Sequence, residues 1–267
     1  MKKNVSYLGP QGSYSYVAAK KMCPDAHLIP CITFAAAVRQ LLDGLADAAV
    51  LPIENTLNGG VLQNMDLLQN NPSLCTVREY TLRIDHRLIT LAGADKGAIK
   101  RIYSHRQALD QCSEFLRKNY PDAQLIAENS TAASLSRIES AQDAAIAGPH
   151  SAGAGFDVSD ECISDEKNNF THFLLVVKGS LPEDFSSSRV YFTITCNHVP
   201  GALLKMLSVI YENNLNMTKI ESRPIKERPG EYRFFIEIEG DYSRSDTKRA
   251  LERIKAAAHS FRILGAY

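Results

Sequence analysis

Several short segments of this 267-residue chain gather hydroxyls, amides and an occasional carboxylate or imidazole beside glycine, and most of them follow an apolar run. The first is Tyr7-Leu8-Gly9-Pro10-Gln11-Gly12-Ser13-Tyr14-Ser15. A strand, a glycine turn and a helix start leave backbone N–H groups and a positive dipole end at the strand's carboxyl edge, which suits a carboxylate or a phosphate. No Gly-Lys-Ser/Thr follows and no Gly-x-Gly-x-x-Gly is present, so this is neither a P-loop nor a dinucleotide turn. An ordinary tight strand–helix turn is the alternative. In the second, Pro52-Ile53-Glu54-Asn55-Thr56-Leu57-Asn58-Gly59-Gly60-Val61, two glycines let the backbone approach a ligand closely beside Glu54, Asn55 and Thr56. A solvated Asn/Gly loop is the other reading. The third, Ser104-His105-Arg106-Gln107, again joins a strand to a helix, where Ser104 could bind a ligand or simply cap the helix. Asn129-Ser130-Thr131-Ala132, Gly148-Pro149 and Asn168-Asn169-Phe170-Thr171-His172-Phe173 complete the set.

Strands and helices must present these groups. Val5–Leu8, Ala48–Ile53, Ile99–Tyr103, Gln124–Ala127, Ala144–Ala147 and His172–Val177 read as strands. Thr33–Leu45, Gln107–Asn119 and Thr131–Ser140 carry apolar residues at helical spacing, with Thr33 and Ser130 as N-caps. Alternating strands and helices predict an α/β fold with a largely parallel sheet. In such sheets ligands bind beyond the carboxyl ends of strands, which is where most of the polar clusters fall.

The stretch from Lys178 to Ser188 is polar and rich in helix and strand breakers, so it reads as a linker. Beyond it, Val190, Phe192, Ile194 and Cys196 alternate with Tyr191, Thr193 and Thr195. Pro200-Gly201 opens a helix to about Glu212, with Leu203, Leu204, Leu207 and Ile210 on its buried side. A strand near 216–223 follows, then a turn at Arg228-Pro229-Gly230, then alternation at Tyr232, Phe234, Ile236 and Ile238. A helix capped by Ser243 or Ser245 and a closing strand at Phe261–Leu264 give the order βαββαβ, a ferredoxin-like arrangement. Two domains are expected, 1–180 and 188–267.

Thirty basic side chains balance thirty acidic ones, which argues against a nucleic-acid partner, and 45% hydrophobic residues suffice for a folded core. The six cysteines form no Cys-x-x-Cys pair and have no histidine at zinc spacing, so no metal is expected. No apolar run has signal-peptide or membrane-span length. The expectation is a reduced cytoplasmic protein with no membrane partner.

Taken together and in order, Tyr-Leu-Gly-Pro-Gln-Gly-Ser-Tyr-Ser, Pro-Ile-Glu-Asn-Thr, Ser-His-Arg-Gln-Ala-Leu-Asp-Gln-Cys and Asn-Phe-Thr-His-Phe resemble the signature segments of prephenate dehydratases. Gly201-Ala202-Leu203 and Glu221-Ser222-Arg223-Pro224 resemble the two phenylalanine-site motifs of that family's ACT domain. The resemblance covers nearly the whole chain. It implies a two-lobed catalytic domain similar to periplasmic binding proteins, the chain leaving the first lobe near residue 80 and returning near 160. It also implies decarboxylative dehydration of prephenate to phenylpyruvate, CO₂ and water, with no cofactor.

By position, the resemblance implies Thr171, Ser104 and Asn55 as catalytic residues, Thr171 assisting departure of the ring hydroxyl. Gly12, Ser13, Thr56, Gln107, Thr131 and His172 would contact substrate, with N–H groups near Gly12 and Ser13 holding a carboxylate. Gly201, Ala202, Leu203, Glu221, Ser222 and Arg223 would bind the effector L-phenylalanine in a homodimer or homotetramer. Three departures from the family pattern stand out, one of them a residue pair. His172 stands where arginine is usual, Arg106 where proline is common, and Ser13-Tyr14 where Thr-Phe is usual. Arginine is a permanent bidentate clamp and histidine titrates, so His172 bears on how a second carboxylate is held. Arogenate dehydration and a non-catalytic amino-acid sensor are the competing readings. A module fused to chorismate mutase is not expected, since no all-helical segment precedes Tyr7.

Overall fold

The computed structural model describes residues 2–196, 199–225 and 228–267. In chain order the elements are β1 (Asn4–Leu8), α1 (Tyr14–Met22), β2 (His27–Cys31), α2 (Phe34–Leu42), β3 (Ala48–Asn55), β4 (Gly59–Gly60), α3 (Leu62–Asn70) and β5 (Leu74–Arg83). Next come β6 (Arg87–Leu91), β7 (Arg101–His105), α4 (Arg106–Asp110), α5 (Ser113–Asn119), β8 (Gln124–Glu128), β9 (Asp143–Ala147), β10 (Phe156–Val158) and β11 (Phe170–Lys178). The last six are β12 (Arg189–Thr195), α6 (Ala202–Glu212), β13 (Met217–Pro224), β14 (Tyr232–Glu239), α7 (Ser245–Ala257) and β15 (Ser260–Ala266). They form two compact units, Met1–Val61 with Tyr80–Phe173, and Leu62–Glu79 with Leu174–Tyr267.

The first unit contains two α/β lobes. In one, β1 is paired in parallel with both β2 and β3, so α1 and α2 are crossover helices. Thr33 caps α2 by accepting from Ala36 N, and Ala37, Val38 and Leu41 form its buried stripe. The other lobe has the strand order β10-β6-β9-β7-β8, parallel from β9 through β7 to β8 and antiparallel at β6 and β10. Both faces of this sheet are covered. Leu88, Ile102, Ala144 and Ile146 pack under α4 and α5, while Ile89, Ala145 and Ala147 pack against Leu135 and Ile138. This explains β9's continuous apolar run. At its head Asp143 is buried, and Arg101 beside it at 2.6 Å holds its carboxyl at about 2.

Three expected helices are shorter than their apolar patterns. The first stops at Leu42, the Gln107–Asn119 pattern breaks at Gln111-Cys112 into α4 and α5, and Thr131–Ser140 contains only a 3₁₀ turn over Ala133–Arg137. Ser130 still caps that turn, accepting from Ala133 N.

In the second unit β13-β14-β12-β15 is antiparallel with α6 and α7 on one face, the expected βαββαβ order. Leu203, Met206, Leu207 and Ile210 face the core, but Leu204 is 67% exposed, because the inward stripe of α6 runs through 206 and 210 rather than 204. Neither serine caps α7. Arg244 occupies the N-cap without a side-chain bond, and the Ser243 hydroxyl is bonded to Asp241. The alternate residues Tyr191, Thr193 and Thr195 are buried too. α3 belongs to this unit, and its Gln69 accepts from the Thr193 hydroxyl at 2.8 Å. Arg262 from β15 donates to the carbonyls of Leu68 and Gln69, acceptors that the C-terminus of α3 leaves open, and to those of Asn71 and Leu74 just beyond it. Among the described residues no helix is long and apolar enough to cross a membrane.

Candidate active site

The carboxyl ends of β1, β3 and β7, the start of β11 and the starts of α1 and α4 line a cavity of about 430 Å³ in the first unit. Its polar wall is Ser13, Tyr14, Ser15, Asn55, Asn58, His86, His105, Gln107, Gln111, Asn129, Ser130, Thr131, Asn169 and Thr171. Leu8, Phe34, Pro52, Ile84 and Phe173 supply apolar surface large enough for a carbocyclic ring.

α1 enters this wall by its N-terminus. Ser13 is its N-cap; the hydroxyl donates to Leu8 O at 2.9 Å and accepts from Tyr16 N at 3.2 Å. The N–H groups of the first turn have no intrahelical acceptor, and they carry the positive end of the dipole toward an anion. The Ser13 N–H itself is committed to Pro10 O at 3.1 Å. Among the first-turn donors, this leaves the N–H groups of the next two residues, Tyr14 and Ser15, open to an anion.

A chain of side-chain amides crosses the floor, and its direction follows from one end. Asn55 Oδ1 accepts from the backbone N–H groups of Leu57 and Asn58, both at 3.1 Å. Its Nδ2 must therefore donate, to Asn169 Oδ1 at 2.7 Å and to Thr171 Oγ1 at 3.0 Å. Since Thr171 Oγ1 is an acceptor there, its own O–H proton remains for a group in the cavity. Asn169 then donates through Nδ2 to Gln111 Oε1 at 3.2 Å, and the same oxygen lies 3.0 Å from His86 Nε2. Among the described residues the buried Gln111 amide nitrogen has no hydrogen-bond partner, so its protons are open to a ligand.

Ser13, Asn55, Gln107, Thr131 and Thr171 thus come together in one wall. Four expected residues do not. Ser104 is fully buried and its hydroxyl donates to Ile146 O at 2.6 Å, which ties β7 to β9. Gly12 has a positive φ of 83°, and its carbonyl accepts from the Ser151 hydroxyl. Thr56 Oγ1 bonds Asn168 O and Phe170 N, closing the loop after β3 onto the start of β11. His172 follows Thr171 on β11, so alternation turns it to the opposite face, where Nδ1 lies 3.1 Å from Thr81 Oγ1. Gln111, Asn169 and His86 were missed from the sequence reading. The first two lay within quoted motifs, and His86 carried no local signal.

The second unit has a pocket of about 380 Å³ between the loop before α6 and β14, lined by Cys196, Val199, Pro200, Ala202, Leu203, Gly230, Glu231, Tyr232 and Phe234. Gly201, with φ 79°, turns the chain into α6. Glu221, Ser222 and Arg223 lie on β13 opposite Phe235, Phe234 and Arg233 of β14, outside this wall, and Arg223 pairs with Asp66 of α3 at 2.6 Å.

An α/β cleft lined by amides and hydroxyls, followed by a βαββαβ unit with a pocket at its first helix, defines the class as a two-module α/β protein with two small-molecule-sized cavities. Comparison with known proteins makes this specific. The family model "Prephenate dehydratase" matches residues 5–180, and "ACT domain" matches 190–257. The bifunctional chorismate mutase/prephenate dehydratase of Escherichia coli (strain K12) is 33% identical over 272 residues, covering 98% of this chain and 70% of that protein. The chloroplastic arogenate dehydratase/prephenate dehydratase 1 of Arabidopsis thaliana is 34% identical over 285 residues, covering 100% and 72%. The crystal structure of prephenate dehydratase from Arthrobacter aurescens in complex with L-Phe superposes with a TM-score of 0.88 at 32% identity, covering 99% of this chain and 90% of that one. The chain belongs to the prephenate dehydratase family and carries the family's ACT domain.

Proposed function

We propose that this chain converts prephenate to phenylpyruvate, CO₂ and water in phenylalanine biosynthesis, and that L-phenylalanine inhibits it through the ACT domain. The observation that carries the chemical part is the directed chain from the Leu57 and Asn58 N–H groups through Asn55, which makes Thr171 Oγ1 an acceptor and so leaves its own proton available to a ligand. In prephenate the ring carboxylate and the ring hydroxyl leave from opposite positions. The carbon–carboxylate bond electrons enter the ring, the carbon–oxygen bond breaks, and the departing hydroxide takes a proton to become water. Aromatisation drives the step, so the enzyme needs alignment and a donor at the leaving oxygen more than a strong acid. Thr171 fits that role, and the unpartnered Gln111 amide and the start of α1 support reading them as the groups that would hold carboxylates. Gln107 and Thr131 contribute further polar contacts.

For the regulatory part, the L-Phe complex of the Arthrobacter relative supports reading the Gly201–Leu203 pocket as the phenylalanine site. Glu221 to Arg223 would then serve the same site across a dimer of ACT domains. The Arabidopsis relative's name supports arogenate as a second substrate. Incubation with prephenate or with arogenate, following phenylpyruvate and phenylalanine respectively, tests the reading. Turnover of prephenate that millimolar L-phenylalanine suppresses is expected. A purified folded chain that turns over neither compound would overturn it.

A further inference from the structure

Prephenate is a dianion, and among the described residues the cleft wall holds no lysine and no arginine. Its ionisable bases are the imidazoles of His86 and His105. His86 is only 3% exposed, and both of its ring nitrogens face oxygen. The amide chain already requires Nε2 to donate, because Gln111 Oε1 is fixed as an acceptor by Asn169. On the other side Nδ1 lies 3.3 Å from the Tyr14 hydroxyl, whose single proton is committed to Asp85 O at 2.8 Å. The hydroxyl therefore presents a lone pair to Nδ1. Only an imidazolium, with a proton on each nitrogen, makes both contacts hydrogen bonds.

We propose that His86 takes up a proton as the dianionic substrate binds and supplies the cleft's positive charge. This deepens the prephenate reading and rests on it. The proton comes from solvent, and no bond of the substrate changes in this step. Around the Tyr14–His86 pair, the groups able to carry charge are Asp85, held by Arg87 at 2.7 Å, the thiols of Cys112 and Cys162, and His150 packed edge-on against the Tyr14 ring. Burial draws His86 below its ordinary 6.5, against the opposing pull of Gln111 and Asp85, so before substrate binds the ring is neutral at pH 7.5. A dianion entering this low-dielectric wall adds negative charge and reverses the balance. By linkage, a ligand that prefers the protonated ring raises its pKa, takes up a proton, and binds less tightly as pH rises. Tyr14, where phenylalanine is usual, is then functional, since its oxygen accepts from the charged ring.

The test uses the full-length Thr171→Ala chain, which is expected to bind prephenate while turning it over about 10²-fold or more slowly, so that binding is read before appreciable turnover. Calorimetric titration with prephenate at pH 7.5, in buffers of differing ionisation enthalpy, should show uptake approaching one proton per site. In a His86→Gln, Thr171→Ala double variant this uptake should vanish. His86→Gln alone should raise KM about tenfold with a smaller change in kcat, since the charge serves binding of the ground state. If His86→Gln does not fold, ¹⁵N NMR of the ring in Thr171→Ala still decides. Its titration should move to higher pH with prephenate, and by less when Tyr14 is replaced by phenylalanine. Binding without proton uptake, or with an unmoved His86 titration, overturns this inference alone. Failure of prephenate to bind at all overturns the functional reading as well.

Discussion

The cleft of the first unit and the pocket of the second both form where strands meet helices, but they are assembled differently. The cleft draws its wall from segments between Leu8 and Phe173, and its polar groups are oriented by hydrogen bonds between residues as much as 116 positions apart. The ACT pocket comes from Cys196 and two short stretches, 199–203 and 230–234, with mainly apolar walls. In the cleft each amide fixes the direction of the next, so one substitution propagates along the chain. In the pocket, shape and a helix start carry recognition, and single changes act locally.

The sharpest way to break this contrast lies in the cleft. Thr171→Ala should lower kcat by about 10² or more with modest change in KM, and serine should restore part of the loss, as steady-state assays would show. Asn55→Asp should cost a similar factor of about 10², because a carboxylate cannot donate to Asn169 and Thr171. A mild effect of Asn55→Asp would show that the chain's direction does not matter.

In the ACT pocket a smaller, local effect is expected. Among the described residues nothing lies within 4 Å of where a Gly201 Cβ would sit, so alanine there acts through its left-handed backbone rather than a clash. The concentration of L-phenylalanine giving half inhibition should rise about tenfold, roughly 1.4 kcal/mol, while kcat stays within about twofold. Ser222→Val should act in the same direction. Removing residues beyond 180 is a poorer test, since α3 would lose Arg262 and Arg223.

Arg262→Met isolates that support. It strips four carbonyls around the end of α3 of their shared donor, and should destabilise the fold by about 2 kcal/mol, a Tm fall of several degrees by calorimetry. The smallest effect is expected at His172. Facing Thr81 rather than the cavity, it should be replaceable by arginine with an unchanged pH profile of kcat/KM, in contrast to His86. A flattened profile in His172→Arg would instead put its imidazole in contact with substrate.

Much of this architecture is legible in the chain because hydropathy period is a local property. Alternation at Val190–Ile194 and at Tyr232–Ile238, and helical spacing at Thr33–Leu45, depend only on neighbours a few residues away. The ordered motifs likewise bring Asn55, Gln107 and Thr171 to notice before any fold is known. Element lengths are less legible, since Gln107–Asn119 reads as one helix until packing breaks it at Gln111-Cys112.

By itself, then, the sequence determined the α/β lobes, the βαββαβ unit, the family and the segments at the strand ends. Tertiary structure alone decided which members of those segments face the cavity. Thr171 and His172 are adjacent in sequence, yet the pleat of β11 sends them to opposite faces. Ser104 satisfies a carbonyl in the sheet, and Thr193 is buried because α3 supplies a partner for it. The physical reason is that a polar side chain's role depends on what its donors and acceptors meet. For His86 those partners are Tyr14, 72 positions earlier, and Gln111, 25 positions later, a meeting that only the folded chain arranges.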